Sequence, residues 1–261
     1  MVAPLKAYWW DGEPNYGDAL NPHIISYVSG RQVRRSWIIK AELFAIGSIM
    51  RAVRKNAHHD GPKCHVWGTG MIDPMARDFV DKVHIGSVRG PLTATILRQD
   101  GVPHGDAGLL TAEALGISGD RPKRYKYGVV PHWTHTDNGE VNALLEALPN
   151  ATMIDTRSND VHAATEALAE CEIILSSSLH GLICADSLGV PNLWMDSGNL
   201  GNTSRFKFFD YALSVGRPMT RPLEIKDILH GHIPECDVGY FANLPKMKET
   251  VKAAFPDQLR A

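Results

Sequence analysis

Four short segments put chemistry-bearing side chains next to buried-strand signals. Ser176-Ser177-Ser178-Leu179-His180-Gly181 lies between the apolar run EIIL and the helix-like LICADSLG. Hydroxyls and an imidazole there open a helix whose first amides have no partners of their own and point at bound anions. Histidine exchanges protons near neutral pH, which makes His180 a candidate acid/base. Helix capping alone accounts for one serine. Ser87-Val88-Arg89-Gly90-Pro91-Leu92-Thr93 places an arginine at a strand end, just before a helix started by proline. A guanidinium fork beside a positive helix terminus suits carboxylate or phosphate, and a surface ion pair is the plainer alternative. Asn15-Tyr16-Gly17-Asp18 is a turn before a helix that Asp18 could cap, or a loop that meets a ligand. In Ser204-Arg205-Phe206-Lys207-Phe208-Phe209-Asp210-Tyr211, positions 206, 209 and 213 would pack one helix face. Lys207 then turns elsewhere, into solvent or onto a phosphate.

Stepping from these segments to the elements that carry them, short continuous apolar runs alternate with helix-like stretches. The runs are Leu5–Trp10, Leu43–Ile46, Cys64–Trp67, Lys82–Val88, Tyr127–Val130, Thr152–Ile154, Glu172–Leu175 and Asn192–Trp194. Unbroken apolar character marks strands buried on both faces of a parallel sheet. Helices are expected at Asn21–Ser29, Pro91–Gln99 (stopped by Gly101), Glu140–Ala147, Val161–Glu170, Leu182–Leu188 and Pro245–Phe255. The alternation predicts an α/β protein. The polar stretch SGDRPKRYK, 118–126, divides it into α/β halves at 1–118 and 119–261, the last helix packing back on the first half. A ligand cleft is expected between them, at the carboxyl ends of strands, where His132 also falls.

The 261 residues carry 27 Lys+Arg against 29 Asp+Glu, a net charge of −2. That argues against bulk attraction to nucleic acid, so an anion site must be local. No run reaches the ~18 apolar residues of a spanning helix. The N-terminus lacks signal-peptide character, and four cysteines without a CxxC pair suit a reducing compartment. The expectation is a cytoplasmic protein. RAVRK (51–55) and RPKRYK (121–126) are short basic patches whose default reading is solvated surface. Gly68-Thr69-Gly70 is a truncated dinucleotide fingerprint, with Asp73 where the last glycine belongs. The histidines at 132, 135, 230 and 232, with Cys236 and Asp237, show no paired metal-ligand spacing, so no metal site is expected. Asp155 and Asp160 read as turn and cap residues.

Taken together, the blocks NYGDALNPHII, FAIGSIM, VWGTG, SVRGPLT, HGDAGLL, GVVPHW, SSSLHGLICADSLGVPNLW and KFFDYALSVG resemble the polysaccharide pyruvyltransferase family. They run in one order through residues 15–216 and are most similar to its bacterial exopolysaccharide branch. The resemblance implies two Rossmann-like domains arranged as in GT-B glycosyltransferases, with the active site in the interdomain cleft. It implies phosphoenolpyruvate as donor, no cofactor, and a sugar acceptor, a lipid-linked oligosaccharide, that would bring the chain to the inner membrane face. It assigns His180 as the catalytic residue and Arg89 and Lys207, with Ser177, Ser178 and Gly181, to the donor. Asn15, Asp18 and His132 fall on the acceptor side. Ser178 stands where many relatives carry arginine, which leaves its hydroxyl and the helix amides, Arg205 or Arg157 to compensate. Gly90 stands where some have an acidic residue. The alternatives are a nucleotide-sugar glycosyltransferase and a non-catalytic sugar- or anion-binding module.

Overall fold

The computed structural model describes residues 3–196, 205–219 and 221–261; Ser204 lies outside them. The first half forms a parallel sheet from β1 (Leu5–Tyr8), β2 (Val33–Arg35), β3 (Leu43–Phe44), β4 (His65–Val66) and β5 (His84–Ile85), in the order β2-β1-β3-β4-β5. The second forms another from β6 (Tyr125–Val130), β7 (Ala151–Met153), β8 (Cys171–Ser176), β9 (Asn192–Asp196) and β10 (Leu223–Glu224), in the order β10-β9-β8-β6-β7. Counted from its own first strand, each sheet therefore runs 2-1-3-4-5. Chain direction across each sheet reverses between its first and third strands, and such switch points open a crevice at the strands' carboxyl ends. Asn15–Asp18 follows β1 and Ser48 follows β3. His132 follows β6 and Ser177–His180 follows β8. Two of the four segments with chemistry, together with Ser48 and His132, thus sit at switch points.

The eight strands expected from apolar runs are present, those of the first half shorter than expected and β6, β8 and β9 longer. β1 stops at Tyr8, which releases Trp9 and Trp10 into the following loop, and Val88 bridges His104 instead of extending β5. Two strands have no such signal. β2 and β10 are sheet edges, partly exposed and charged (VRR, LE), so they need no continuous apolar run. The helix Pro91–Leu97 stops earlier than its composition suggests, with Arg98 itself in the left-handed conformation at φ 51°. The helix Leu179–Leu188 starts earlier than Leu182, and this carries His180 into its first turn. In the helix Phe206–Val215 the expected face is wrong. Lys207, Phe208, Tyr211 and Val215 are buried, whereas Leu213 is 55% exposed.

The last helix, Leu244–Ala253, lies on the first half. Trp67 Nε1 donates to Val251 O at 2.8 Å, and the Trp67 ring meets Phe255 edge-on. Arg260 Nη1 and the Ala261 N–H donate to Val28 O and Ser29 O. No helix among the described residues is long and apolar enough to cross a membrane.

Candidate active site

His180 occupies the first turn of Leu179–Leu188, a helix that packs tightly on the sheet beneath it. Gly181 is what permits this: a Cβ there would stand 2.3 Å from Ser176 Oγ and 2.8 Å from Val130 Cγ1. Gly181 thus faces the sheet. The serines before it build the turn. Ser176 Oγ donates to Val130 O and Ser178 O, and buried Ser177 Oγ accepts from the His132 N–H at 2.9 Å, which ties β6's loop to β8's. Ser178 is the N-cap, yet its hydroxyl makes no capping bond, so helix capping does not explain the serine tract.

The His180 ring is wedged against the first half. A Cβ on Gly17 would lie 2.0 Å from its Nδ1, and one on Gly108 would lie 3.8 Å from its Cδ2. Its Nε2 is buried without a hydrogen-bond partner. Burial, then the charges of Lys207 and Arg89 and neighbouring His132, pushes its pKa down to about 3. The protein alone therefore holds a neutral imidazole at pH 7 with one nitrogen free to exchange a proton.

Lys207 is 7% exposed and makes no hydrogen bond or ion pair among the described residues. Burial and the Arg89 charge lower its pKa to about 8, while Asp18 and Asp73 oppose that shift. Asp18 does not cap the helix Tyr16–Ala19. Asn15 does, its Oδ1 accepting from the Gly17 N–H at 3.0 Å. Burial raises the Asp18 carboxyl to about 7 against a hydrogen bond from the Trp10 backbone and the Lys207 charge. His132 is drawn down to about 3 by burial, Lys207 and His135, and its Nδ1 pairs with Thr134 Oγ1 at 2.8 Å.

Arg89 differs. It is fully buried, and all three guanidinium nitrogens are engaged: Nε with Asp210 Oδ2 at 3.1 Å, Nη1 with Ser48 Oγ at 2.8 Å and Nη2 with Met71 O at 2.5 Å. Its carboxylate partner arrives from the helix Phe206–Val215, and no surface pair forms. Asp210 also accepts from the Thr93 N–H at 3.0 Å and from Thr93 Oγ1 at 2.6 Å, capping Pro91–Leu97 from outside. Gly90 is required for this approach, since a Cβ there would fall 1.9 Å from Asp210 O. An acidic residue at that position cannot fit, and Asp210 supplies the carboxylate instead. Neither arginine proposed to compensate for Ser178 is shown beside it. Arg157 is held by Asp155 and Asp137, and Arg205 pairs with Asp196 at 3.5 Å.

Sequence reasoning passed over three parts of this site. Asp106 is fully buried next to Gly108. Its Oδ1 accepts the Gly108 N–H at 2.8 Å, its Oδ2 has no partner, and burial lifts its pKa to about 6 against the charge of Arg89. It stood within the block HGDAGLL without a role. Asp210 stood likewise within KFFDYALSVG. The third is a groove of about 470 Å³ lined by Trp10, Asn15, Asp18, Ser48, Arg51 and Trp133 among others. The Trp10 and Trp133 rings, one from each half, lie 5.5 Å apart. Among the described residues no group of three or more metal-ligating side chains assembles; Asp155 and Asp160 serve as turn and cap residues.

A family model for polysaccharide pyruvyl transferase matches residues 15–199. The chain is 29% identical over 236 residues to the succinoglycan biosynthesis protein ExoV of Rhizobium meliloti (strain 1021), spanning 85% of this chain and 69% of that protein. It is also 29% identical over 180 residues to an uncharacterized protein of Acanthamoeba polyphaga mimivirus, spanning 66% of this chain and 59% of that one. A solved structure of an uncharacterized Klebsiella pneumoniae protein superposes with a TM-score of 0.47 at 13% identity, over 83% of this chain and 93% of the other. The family match spans the loop that carries Asn15 and Asp18, the Arg89 turn and the helix that carries His180. This chain belongs to the polysaccharide pyruvyl transferase family and is a pyruvyltransferase.

Proposed function

We propose that the chain transfers the pyruvyl group of phosphoenolpyruvate onto two hydroxyls of one sugar in an exopolysaccharide repeat unit, forming a cyclic ketal and releasing phosphate. The observation that carries this reading is the cluster of His180 and Lys207, two buried polar side chains with no hydrogen-bond partner among the described residues, beside the charge of Arg89. Buried polar groups are normally satisfied. Two left open at the strands' carboxyl ends, with cationic charge, suit a small anionic substrate. In this reading the halves 1–118 and 119–261 are separate domains arranged as in GT-B enzymes, and the substrates meet in the cleft between them.

Lys207 and the amides that open Leu179–Leu188 would hold the donor's phosphate and carboxylate, together with Ser178. Arg89, each of whose guanidinium nitrogens already has a protein partner, contributes its charge and fixes the helix that carries Lys207. Ser177 and Gly181 act as supports. The donor's methylene carbon takes a proton, and C2 gains oxocarbenium character. One sugar hydroxyl bonds to C2 and loses its proton. The second hydroxyl then bonds to C2 and loses its proton as the C2–O bond to phosphate breaks. His180 exchanges protons in these steps, since the negative charge of the donor offsets the cations that hold its pKa low. Asp18, with proton affinity near neutrality, faces the acceptor groove with Asn15. Trp10 and Trp133 offer flat apolar surfaces to a sugar ring, and His132 flanks them. The acceptor in this reading is a lipid-linked oligosaccharide, and no cofactor is invoked.

Thermal unfolding with phosphoenolpyruvate or UDP-glucose, on wild type and Lys207→Met, tests the donor. A stabilisation by phosphoenolpyruvate that Lys207→Met removes is the expected result. Stabilisation by UDP-glucose alone would replace this reading with a nucleotide-sugar glycosyltransferase.

A further inference from the structure

The protein's charge is unevenly spread. Residues 31–55 hold seven cations (Arg31, Arg34, Arg35, Lys40, Arg51, Arg54, Lys55) and one acid, Glu42, in a chain whose net charge is −2. Some of this charge is neutralised or turned inward. Arg35 pairs with Asp11, Arg54 with Asp78 through two nitrogens at 2.7 Å, and Arg31 donates to the carbonyls of Ala3 and Leu259. Glu42 accepts the Lys6 backbone N–H. Arg34, Lys40, Arg51 and Lys55 are left exposed, with no ion pair among the described residues. The other basic stretch, RPKRYK, behaves differently. Arg121 and Arg124 pair with Glu166 and Glu170, and Lys123 donates to Gly119 O and Ala169 O.

The unpaired cations flank, along the chain and on the helix Met50–Ala57, the most exposed large apolar side chain among the described residues. Trp37 is 76% exposed and Ile39 is 40% exposed, on either side of Ile38. The turn Ile38–Lys40 is fastened to the helix Met50–Ala57, because Asn56 Nδ2 donates to Ile38 O at 2.6 Å and to Ala41 O at 3.3 Å. Ile38 lines the groove beside Trp10 and Trp133 with Arg51 and Lys55, and Trp37 and Ile39 are its chain neighbours. An exposed tryptophan and isoleucine amid unpaired cations match the chemistry of an anionic lipid surface. The ring enters the headgroup layer and the cations meet its negative charge. We propose that Arg34–Lys40 and the Arg51/Lys55 face of the helix Met50–Ala57 form a peripheral docking surface for anionic membranes, with the groove opening beside it. The proposal is independent of the donor and of the reaction.

Vesicle sedimentation tests it directly. Wild type should pellet with phosphatidylcholine/phosphatidylglycerol vesicles at low salt, remain in the supernatant with phosphatidylcholine alone, and be released by salt. Each of Arg51→Gln and Lys55→Gln should weaken binding roughly fivefold, and Trp37→Ser should weaken it while melting at the wild-type temperature. The double variant Arg121→Gln/Lys126→Gln should bind as wild type does. Failure of wild type to bind the anionic vesicles, or equal binding by Trp37→Ser and Arg51→Gln/Lys55→Gln, would overturn the proposal. So would concentration-dependent self-association, abolished by Trp37→Ser, in a protein that ignores vesicles; the face would then be an interface between copies.

Discussion

The two sheets share one strand order and both present loops at a switch point, yet the buried basic side chains they bring to the site are bonded in opposite ways. In the first half, each guanidinium nitrogen of Arg89 has a partner, in Asp210, Ser48 and Met71 O, and that bonding clamps the helix Phe206–Val215 to the first sheet. In the second half, the side chains that reach the same region, His180 Nε2 and Lys207, have no hydrogen-bond partner among the described residues. A buried polar group that is fully bonded builds structure. One that is left open costs stability and is retained where a ligand completes it. Under the proposed function, Arg89 serves the scaffold and His180 and Lys207 the chemistry, and the charges of Arg89 and Lys207 both bear on the proton affinity of His180.

Several substitutions would break or sharpen this contrast. Asp210→Ala has the largest expected effect, because it strands the Arg89 charge and uncaps Pro91–Leu97. Breaking a buried pair costs about 3–5 kcal/mol, which denaturant unfolding would read as a lowered midpoint. His180→Ala should do the reverse, leaving the midpoint near that of wild type while phosphate release falls ~10²–10⁴-fold. If His180→Ala turned over normally, the division between scaffold and chemistry would fail. Gly181→Ala tests the packing that presents the histidine. Overpacking costs about 1–3 kcal/mol, and activity should fall with stability rather than ahead of it.

The smallest effect is a dependence on pH. The folded Asp18 carboxyl binds its proton up to about pH 7, well above its ordinary value of 3.8. The native state therefore holds more protons than the unfolded chain between these limits, and the stability this group contributes is lost as pH rises through them. Asp18→Asn should gain melting temperature relative to wild type as pH climbs from about 4 to 7, with no further gain above about 8. A constant difference across that range would show that Asp18 is not desolvated. His180 and His132 act with opposite sign. Their lowered values favour the fold above pH 6.5, and that contribution is lost as pH falls towards 3. The variant-minus-wild-type difference isolates Asp18 from them.

Much of the architecture was legible in the residues alone. Continuous apolar runs located eight strands because a parallel sheet covered on both faces demands them. The same rule could not reveal β2 and β10, whose edges face water. The SSSLHG tract and the Arg89 turn stood out because polar residues directly after buried strands have few structural reasons to be there. The sequence left open what each of these polar groups bonds to. Lys207 reads as a solvated lysine on a helix until the helix is rotated so that Lys207 and Asp210 face inward. Asp210, 121 positions after Arg89, becomes its partner only because Gly90 admits the backbone of that helix. Local pattern fixes which elements form, through periodicity and burial. Which polar groups end up paired and which stay open depends on contacts between residues far apart in the chain, and only the folded structure brings those together.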